Sequence, residues 1–283
     1  MARELGDDGG IDYLLVATLT RDLTPDGLSL GGTAAFSACM ARALGRRVGL
    51  VSRFANDVDL GALEGVRVAR QAAPVTTTFE NRYEAEGRVQ RLHRHAGDIA
   101  LDAVPEAWLA APIVHVGPLA QDIDRRMMAG FPCALVGVTP QGWLRRWRAD
   151  GRIEACDWAE PGPVLERADA IVLSIEDAGE DWSRIEAWAE RAALLVVTEA
   201  ERGASVFHGQ GRQRFAAPAV DVRDPTGAGD LFAAAYFVLY AAERDALGAA
   251  ERCVWLTSML LARRGGRFPS RALVEALLAE QRA

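Results

Sequence analysis

Short apolar runs recur along the chain, bounded by turn residues and too brief for helices. Ile11 to Thr18 (IDYLLVAT) is the first and Arg47 to Phe54 (RVGLVSRF) the second. Ile113–Val116, Ala134–Val138, Ala170–Ser174 and Leu194–Thr198 continue the series. Continuous runs of this length read as strands buried on both faces. Helical or loop segments separate them. Gly31-Gly32-Thr33-Ala34-Ala35-Phe36 passes into a helix with apolar spacing through Leu44, ended by Gly45. Gln141 to Arg152, with Trp143, Trp147 and four arginines, reads as an amphipathic surface helix packed through its tryptophans. Strands alternating with helices argue for an α/β fold with a mainly parallel sheet covered on both faces.

Two stretches depart from this rhythm. Val66–Val68, Thr76–Tyr83 and Val89–His95 alternate in polarity and are rich in threonine and aromatics, with Glu86-Gly87 as a turn. They predict antiparallel strands. With the segment near 20–30 they would form a small sheet over one end of the main domain, a lid. Later, Ser205–His208 and Gln213–Ala216 predict a hairpin around Gly209, Gln210 and Gly211, followed by a strand-like run, Ala219–Val222. Helices at Leu231–Ala242, Ala246–Arg263 and Ser270–Gln281 close the chain.

Composition narrows the class. At 283 residues, half hydrophobic and a quarter charged, the chain has the make-up of a soluble globular enzyme with one large core. We expect one domain over residues 1–283, with a lid from about 66–95 and the segment near 20–30. The net charge of −7 and the lack of a long basic cluster argue against a nucleic-acid partner. The 32 basic residues are all arginine. The missing lysine excludes a P-loop nucleotide hydrolase and makes arginine the one side chain able to clamp phosphate by charge. Cys39, Cys133, Cys156 and Cys253 have no metal spacing, and the close pair His93 and His95 reads as surface. Met1–Gly10 is acidic, unlike a targeting peptide, and no apolar run approaches the ~20 residues of a membrane span. The expected location is cytoplasmic, without a membrane partner.

Chemistry concentrates in Asp224-Pro225-Thr226-Gly227-Ala228-Gly229-Asp230, just before an apolar helix. Two glycines flanking Ala228 leave the backbone bare enough for an anion to approach. The first amides of a helix lack intrahelical partners and sit at its positive end. Together these make a phosphate cradle. Asp230 beside it would take the proton from an attacking hydroxyl. The same stretch would also serve as an ordinary turn and N-cap. Asp22, Gly31-Gly32, Ser174–Asp177, Thr198–Gly203 and Asp224–Asp230 all follow strands, and ligands of open parallel sheets bind at strand carboxyl ends. These segments should line one crevice.

The motifs resemble those of the PfkB, or ribokinase-like, family of sugar and nucleoside kinases. DPTGAGD is similar to that family's second signature, and GGTAAFSACMARALGRRVGLVSRFANDV, ending near Asp57, to its first. TEAERGA (198–204) is similar to its nucleotide loop. The resemblance spans nearly the whole chain in order. It implies a three-layer α/β/α sandwich with a β lid, transferring the γ-phosphate of ATP to a hydroxyl of a small sugar or polyol. On this resemblance Asp230 is the base and the amides of Gly227, Ala228 and Gly229 are the anion hole. Asp22, Gly31, Gly32, Thr33 and Phe36 contact the acceptor, joined by Asn81, Tyr83 and Gln90 from the lid. Ser174, Thr198, Glu201, Gly203 and Thr226, with Gly227 and Gly229, hold the nucleotide. Asp177 meets Mg²⁺ through water, and Asp224 lies where some members bind a monovalent cation such as K⁺. A homodimer through the lid is also implied.

Three departures bear on specificity. Ser174 and Asp177 stand where the family has Asn and Glu, and Ala200 replaces the first glycine of the nucleotide loop. Thr33 and Phe36 stand where ribose-specific members have Asn, and Phe36 would stack on a flatter or more apolar acceptor face. The lid run TTTFENRYEAEGRVQRLH resembles the subgroup that includes myo-inositol kinases. A nucleoside kinase of the same fold is the rival enzyme. A non-catalytic ligand sensor is the rival from another class, although a sensor has no need of Asp230.

Overall fold

The computed structural model describes residues 10–282, leaving out 25, 26, 85, 86, 133, 210 and 223. The chain opens with β1 (Tyr13–Ala17), leaves it for the hairpin β2 (Thr20–Thr24) and β3 (Gly27–Gly31), and returns through α1 (Gly32–Ala43) to β4 (Val48–Phe54) and β5 (Arg67–Ala72). A second hairpin, β6 (Thr77–Glu84) and β7 (Gly87–Arg94), precedes β8 (Ile113–Gly117) and β9 (Leu135–Val138). Next come β10 (Arg145–Trp147), β11 (Ile153–Ala155), α2 (Gly162–Arg167), β12 (Ala170–Ser174), α3 (Trp182–Ala189) and β13 (Leu194–Thr198). The chain ends with β14 (Ala204–His208), β15 (Gly211–Phe215), α4 (Ala228–Glu243), α5 (Ala246–Arg263) and α6 (Arg271–Arg282).

Nine strands form the central sheet in the order β15-β14-β13-β12-β9-β8-β1-β4-β5. Pairings from β5 to β13 are parallel, and β14 and β15 add an antiparallel edge. Strand alternation sends successive side chains to opposite faces. In β1, Tyr13 and Leu15 enter the core under α1, α4, α5 and α6, while Leu14 and Val16 enter the core under α2 and α3. Two apolar layers on one sheet give a three-layer α/β/α sandwich, as the resemblance implies. No helix of the described residues is long and apolar enough to cross a membrane.

The lid sheet has the order β3-β2-β6-β7. It is smaller than expected at its start and mixed in direction. Residues 67–72 pair parallel with β4 as the edge of the central sheet, and β2 pairs parallel with β6. An edge strand with one solvated face shows the same polar alternation as a lid strand, which is why sequence pattern confuses the two.

The helix expected over 141–152 does not form. Pro140–Leu144 is a short 3₁₀ turn, and β10 pairs antiparallel with β11. Trp143 is fully buried, its indole N–H donating to Ile123 O at 2.8 Å, whereas Trp147 is exposed on the hairpin. Gly151, at φ +81°, brings the hairpin against the lid, where Leu92 N donates to its carbonyl at 2.8 Å. The four-residue spacing of the tryptophans is therefore not a helix face. Ala219–Val222 forms no strand. His93 bonds Glu80 and His95 packs near Trp147, so the two do not act as a pair. Expectations for residues 1–9, Glu86, Cys133, Gln210 and the side chain of Tyr83 fall outside what the structure describes.

Candidate active site

The crevice lies at the carboxyl ends of β1, β8, β12 and β13. There α1 begins against the exit of β1, where Ala34 N donates to Thr18 O at 3.2 Å. Gly32 has φ +81°, and a Cβ on it would stand 2.4 Å from Thr18 O, so only glycine allows this approach. Across from it, Asp224 opens the turn into α4 by accepting from Thr226 N at 2.9 Å. Gly227 is left-handed at φ +75°, and its would-be Cβ lies 2.3 Å from the Phe36 ring. Leu231 N closes the first helical bond onto Gly227 O at 2.9 Å. Ala228 N donates to Pro225 O at 3.1 Å, so that amide closes the turn rather than joining the cradle assigned to it. The amides of Gly229 and Asp230 have, by helix geometry, no carbonyl of the helix to bond. A Cβ built on Gly229 meets nothing within 4 Å, so the turn faces open space there.

Asp230 is half-buried in the first turn of α4. Ser37 Oγ donates to its carbonyl at 3.1 Å. Gly117, at the exit of β8, makes room for Thr33: a Cβ there would lie 2.5 Å from Thr33 Cγ2. Burial pushes the Asp230 carboxyl up from its ordinary 3.8 to about 6; Thr33 and Arg145 draw it down, while Asp177 and Asp22 push it up. Those partners come from α1, β10, the exit of β12 and the lid. Distant segments therefore converge on one carboxylate, as expected from strand-exit placement.

Asp177 is held on three sides. Its Oδ2 accepts from Ser174 N at 3.2 Å, its Oδ1 from Gln141 Nε2 at 3.0 Å, and Arg145 Nη2 lies 3.6 Å from Oδ1. Ser174 Oγ accepts from Glu176 N at 3.2 Å, so Ser174 shapes this turn. Among the described residues no three His, Cys, Asp or Glu side chains form a metal-holding group.

On the lid side, Asp22 accepts from Thr20 Oγ1 at 2.9 Å and is paired with Arg267. A Cβ on Gly31 would meet Asp22 Oδ2 at 2.1 Å, so glycine there makes room for the carboxylate. Strand register puts Asp22 opposite Phe79, and Phe79 opposite Leu92. Phe79 and Leu92 pack on Leu119 and Ala120, which follow β8. Two residues along from these, Asn81 and Gln90 share that inward face, with Gln90 Nε2 donating to Asn81 Oδ1 at 3.0 Å. Phe36 does not line the acceptor space as expected. It is 2% exposed, packed at a tilt on Phe268 at 5.0 Å and covered by the Arg267 guanidinium at 5.2 Å. Its ring supports Gly227 from below.

In the loop after β13, Thr198 Oγ1 donates back to Leu173 O at 3.4 Å, and Glu201 is exposed. Gly203 has φ +103°, and a Cβ would lie 2.0 Å from Phe215 O. Ala200 takes φ +52°, the left-handed conformation that glycine adopts at no steric cost. Glu199 is buried, bonded by Ser205 Oγ at 2.7 Å and faced by Arg214 at 3.5 Å. Beyond β15 a cleft of about 400 Å³ opens between Ala216–Pro218 and Val254–Trp255 of α5.

Three arginines of the site were not assigned from sequence: Arg145, Arg264 and Arg267. Arg264 lies 3.5 Å from the Asp224 carboxylate, the group expected beside a monovalent cation. An arginine-only composition says that any cationic clamp is arginine, but 32 arginines give no signal as to which ones.

A parallel sheet under a β lid, with a glycine turn and a carboxylate opening the helix at its crevice, defines the ribokinase-like class. Residues 173–273 match the pfkB family of carbohydrate kinases. The chain is similar to a cytidine kinase of Thermococcus kodakarensis, 25% identical over 269 residues, covering 87% of this chain and 93% of the relative. Among solved structures it resembles a pyrophosphate-dependent kinase of the ribokinase family, complexed with a pyrophosphate analog and myo-inositol. That likeness has a TM-score of 0.77 at 19% identity, over 93% of this chain and 99% of the other. An adenosine kinase from Sinorhizobium meliloti superposes with a TM-score of 0.73 at 19% identity, over 96% and 99%. The family match thus falls on residues 173–273, and the whole chain has the fold of the ribokinase-like kinases.

Proposed function

We propose that this kinase transfers the terminal phosphoryl group of ATP to a hydroxyl of a small sugar or polyol, with Asp230 as general base. The observation that carries this reading is the Asp230 carboxylate itself. It stands one residue from Gly229 in the first turn of α4, and burial, offset by Thr33, pushes it up to about 6. It is thus ionised at neutral pH yet more basic than an ordinary carboxylate.

Phosphoryl transfer has a loose transition state with charge on the equatorial oxygens, so fixed donors do most of the stabilising. The amides of Gly227 and Gly229, at the positive end of α4, supply donors that need no reorganisation. Arg145, beside Asp177 and felt by Asp230, adds a guanidinium directed at the same space. A divalent ion would arrive on the donor phosphates and meet Asp177 through water, since one carboxylate and no protein cage suits Mg²⁺. Asp22, held by Thr20 and Arg267, would accept from an acceptor hydroxyl, and Asn81 and Gln90 would read the opposite side. The cleft beside Trp255 has the volume of a small-ligand pocket and would take the donor's base. A dimer through the lid belongs to the same proposal, because β3 and β7 are lid edges and Leu28 on β3 is 50% exposed.

A nucleoside acceptor is the second reading, favoured by the likeness to a cytidine kinase. Incubation with ATP or pyrophosphate and a panel of polyols, sugars and nucleosides, followed by phosphorus NMR, separates the two. Phosphorylated myo-inositol or another polyol is the expected product. Phosphorylation of nucleosides alone would establish the second reading. Tight donor binding without turnover on any acceptor would overturn both and leave a sensor.

A further inference from the structure

The turn that precedes α4 carries its own cation. Arg264 directly follows α5, its N–H still bonded to Leu260 O at 2.8 Å, and is 5% exposed. Its Nη2 donates to the backbone carbonyls of Asp224 at 2.6 Å and Thr226 at 2.9 Å, and lies 3.5 Å from Asp224 Oδ2. Its Nη1 donates to Arg267 O at 2.9 Å. Backbone carbonyls converging on one positive charge form the donor set that takes a dehydrated potassium ion. A free ion touching both the Asp224 and Thr226 carbonyls would coincide with Nη2, so the ion implied at Asp224 does not fit beside this side chain.

The guanidinium does more than neutralise. A trans peptide holds its C=O and N–H on opposite sides. Fixing the Thr226 carbonyl on Arg264 therefore sets the direction of the Gly227 N–H, the first amide of the anion cradle. The planar fork bonds two carbonyls of the turn through one nitrogen and ties the loop after α5 through the other, a directional grip that a spherical ion lacks. The carboxyl end of α5 is the negative end of its dipole, which favours the charge there.

We propose that Arg264 is a resident replacement for an exchangeable monovalent cation, a positioning residue that shapes the Asp224–Gly227 turn and makes the reaction independent of potassium and sodium. The proposal rests on the kinase reading only for its rate readout. A thermal readout carries it separately.

The test compares chloride salts of potassium, sodium and tetramethylammonium at equal ionic strength. Wild-type turnover and melting temperature are expected to be the same in all three. Arg264→Ala is expected to lose roughly tenfold to a hundredfold in turnover in tetramethylammonium, the scale of a misplaced cradle. Turnover and melting temperature of that variant should then recover on adding potassium, or guanidinium well below denaturing concentration. Arg264→Gln, which keeps a donor and the approximate shape, stands in if the alanine variant does not fold, with the same expectation. Several-fold activation or thermal stabilisation of the wild type by potassium would overturn the proposal. So would Arg264 variants that are fully active in tetramethylammonium, or impaired ones that neither potassium nor guanidinium restores. Without any wild-type turnover the kinase reading fails, and the melting temperatures still decide this one.

Discussion

The Thr33 side chain, at the start of α1, acts on the Asp230 carboxylate in the first turn of α4 and draws its pKa down. Thr33 is 1% exposed and nearly two hundred residues away in sequence, so the two meet only because α1 and α4 pack side by side over the sheet. Thr33 favours the ionised carboxylate, against the burial that disfavours it.

Burial and Thr33 together set the pH dependence. With the Asp230 carboxyl at about 6, kcat/KM should fall as pH drops through that value, because the base becomes protonated. Thr33→Val removes the donor. A hydrogen bond to a charged group is worth about 1.5–3 kcal/mol, so the acid limb should move upward by roughly one to two pH units. A pH–rate profile of both proteins checks this, and an unmoved or lowered limb would count against the assignment.

Asp230→Asn should cut turnover by roughly two to four orders of magnitude with donor binding nearly unchanged. The stability change runs the other way. The folded-state value of about 6 lies above the ordinary 3.8, so the folded state binds this proton more tightly. Stability is therefore lost as pH rises from about 4 to 6, and the ionised group stays costly above that. The full difference would be ~3 kcal/mol, and partial exposure reduces it to roughly 1–2 kcal/mol. Urea unfolding at pH 8 should show the asparagine variant as the more stable protein, and below pH 4 the difference should vanish.

Arg145→Met should lower kcat by roughly 10²-fold, the usual effect of losing one fixed donor at a developing charge, with acceptor KM little changed. Because Arg145 draws the Asp230 carboxyl down, its loss should also raise the acid limb. Steady-state kinetics across pH separate these effects. A purely structural role for Arg145 would leave the limb in place.

Gly227→Ala should destabilise the protein by about 1–3 kcal/mol, from left-handed backbone strain together with the Phe36 contact. Phe36→Leu in the same chain should relieve the contact but not the strain. Denaturant titrations of the two single variants and the double variant therefore close a cycle with a favourable coupling energy. Full additivity would show that the ring does not brace the turn.

Much of the framework was legible in the chain's own pattern. Ala170–Ser174, Leu194–Thr198 and Ala246–Arg263 occupy the spans their apolar runs and periodicity predict. Where the pattern misled, tertiary contacts overrode it. Residues 67–72 alternate because they form an edge with one face solvated, and the tryptophans of 141–152 were claimed by a core and a hairpin.

What the sequence alone determined is the alternation of strands and helices, the bare glycine turn, and the carboxylate that follows it. These depend on backbone freedom and apolar period, which are local. What only the tertiary structure decided is which charges meet. Thr33 on Asp230, Arg145 on Asp177, Arg267 on Asp22 and Arg264 on the carbonyls of Asp224 and Thr226 join segments far apart in the chain. An arginine looks alike in sequence whether it extends into water or fills a cation's place. Only packing removes the water and decides between the two.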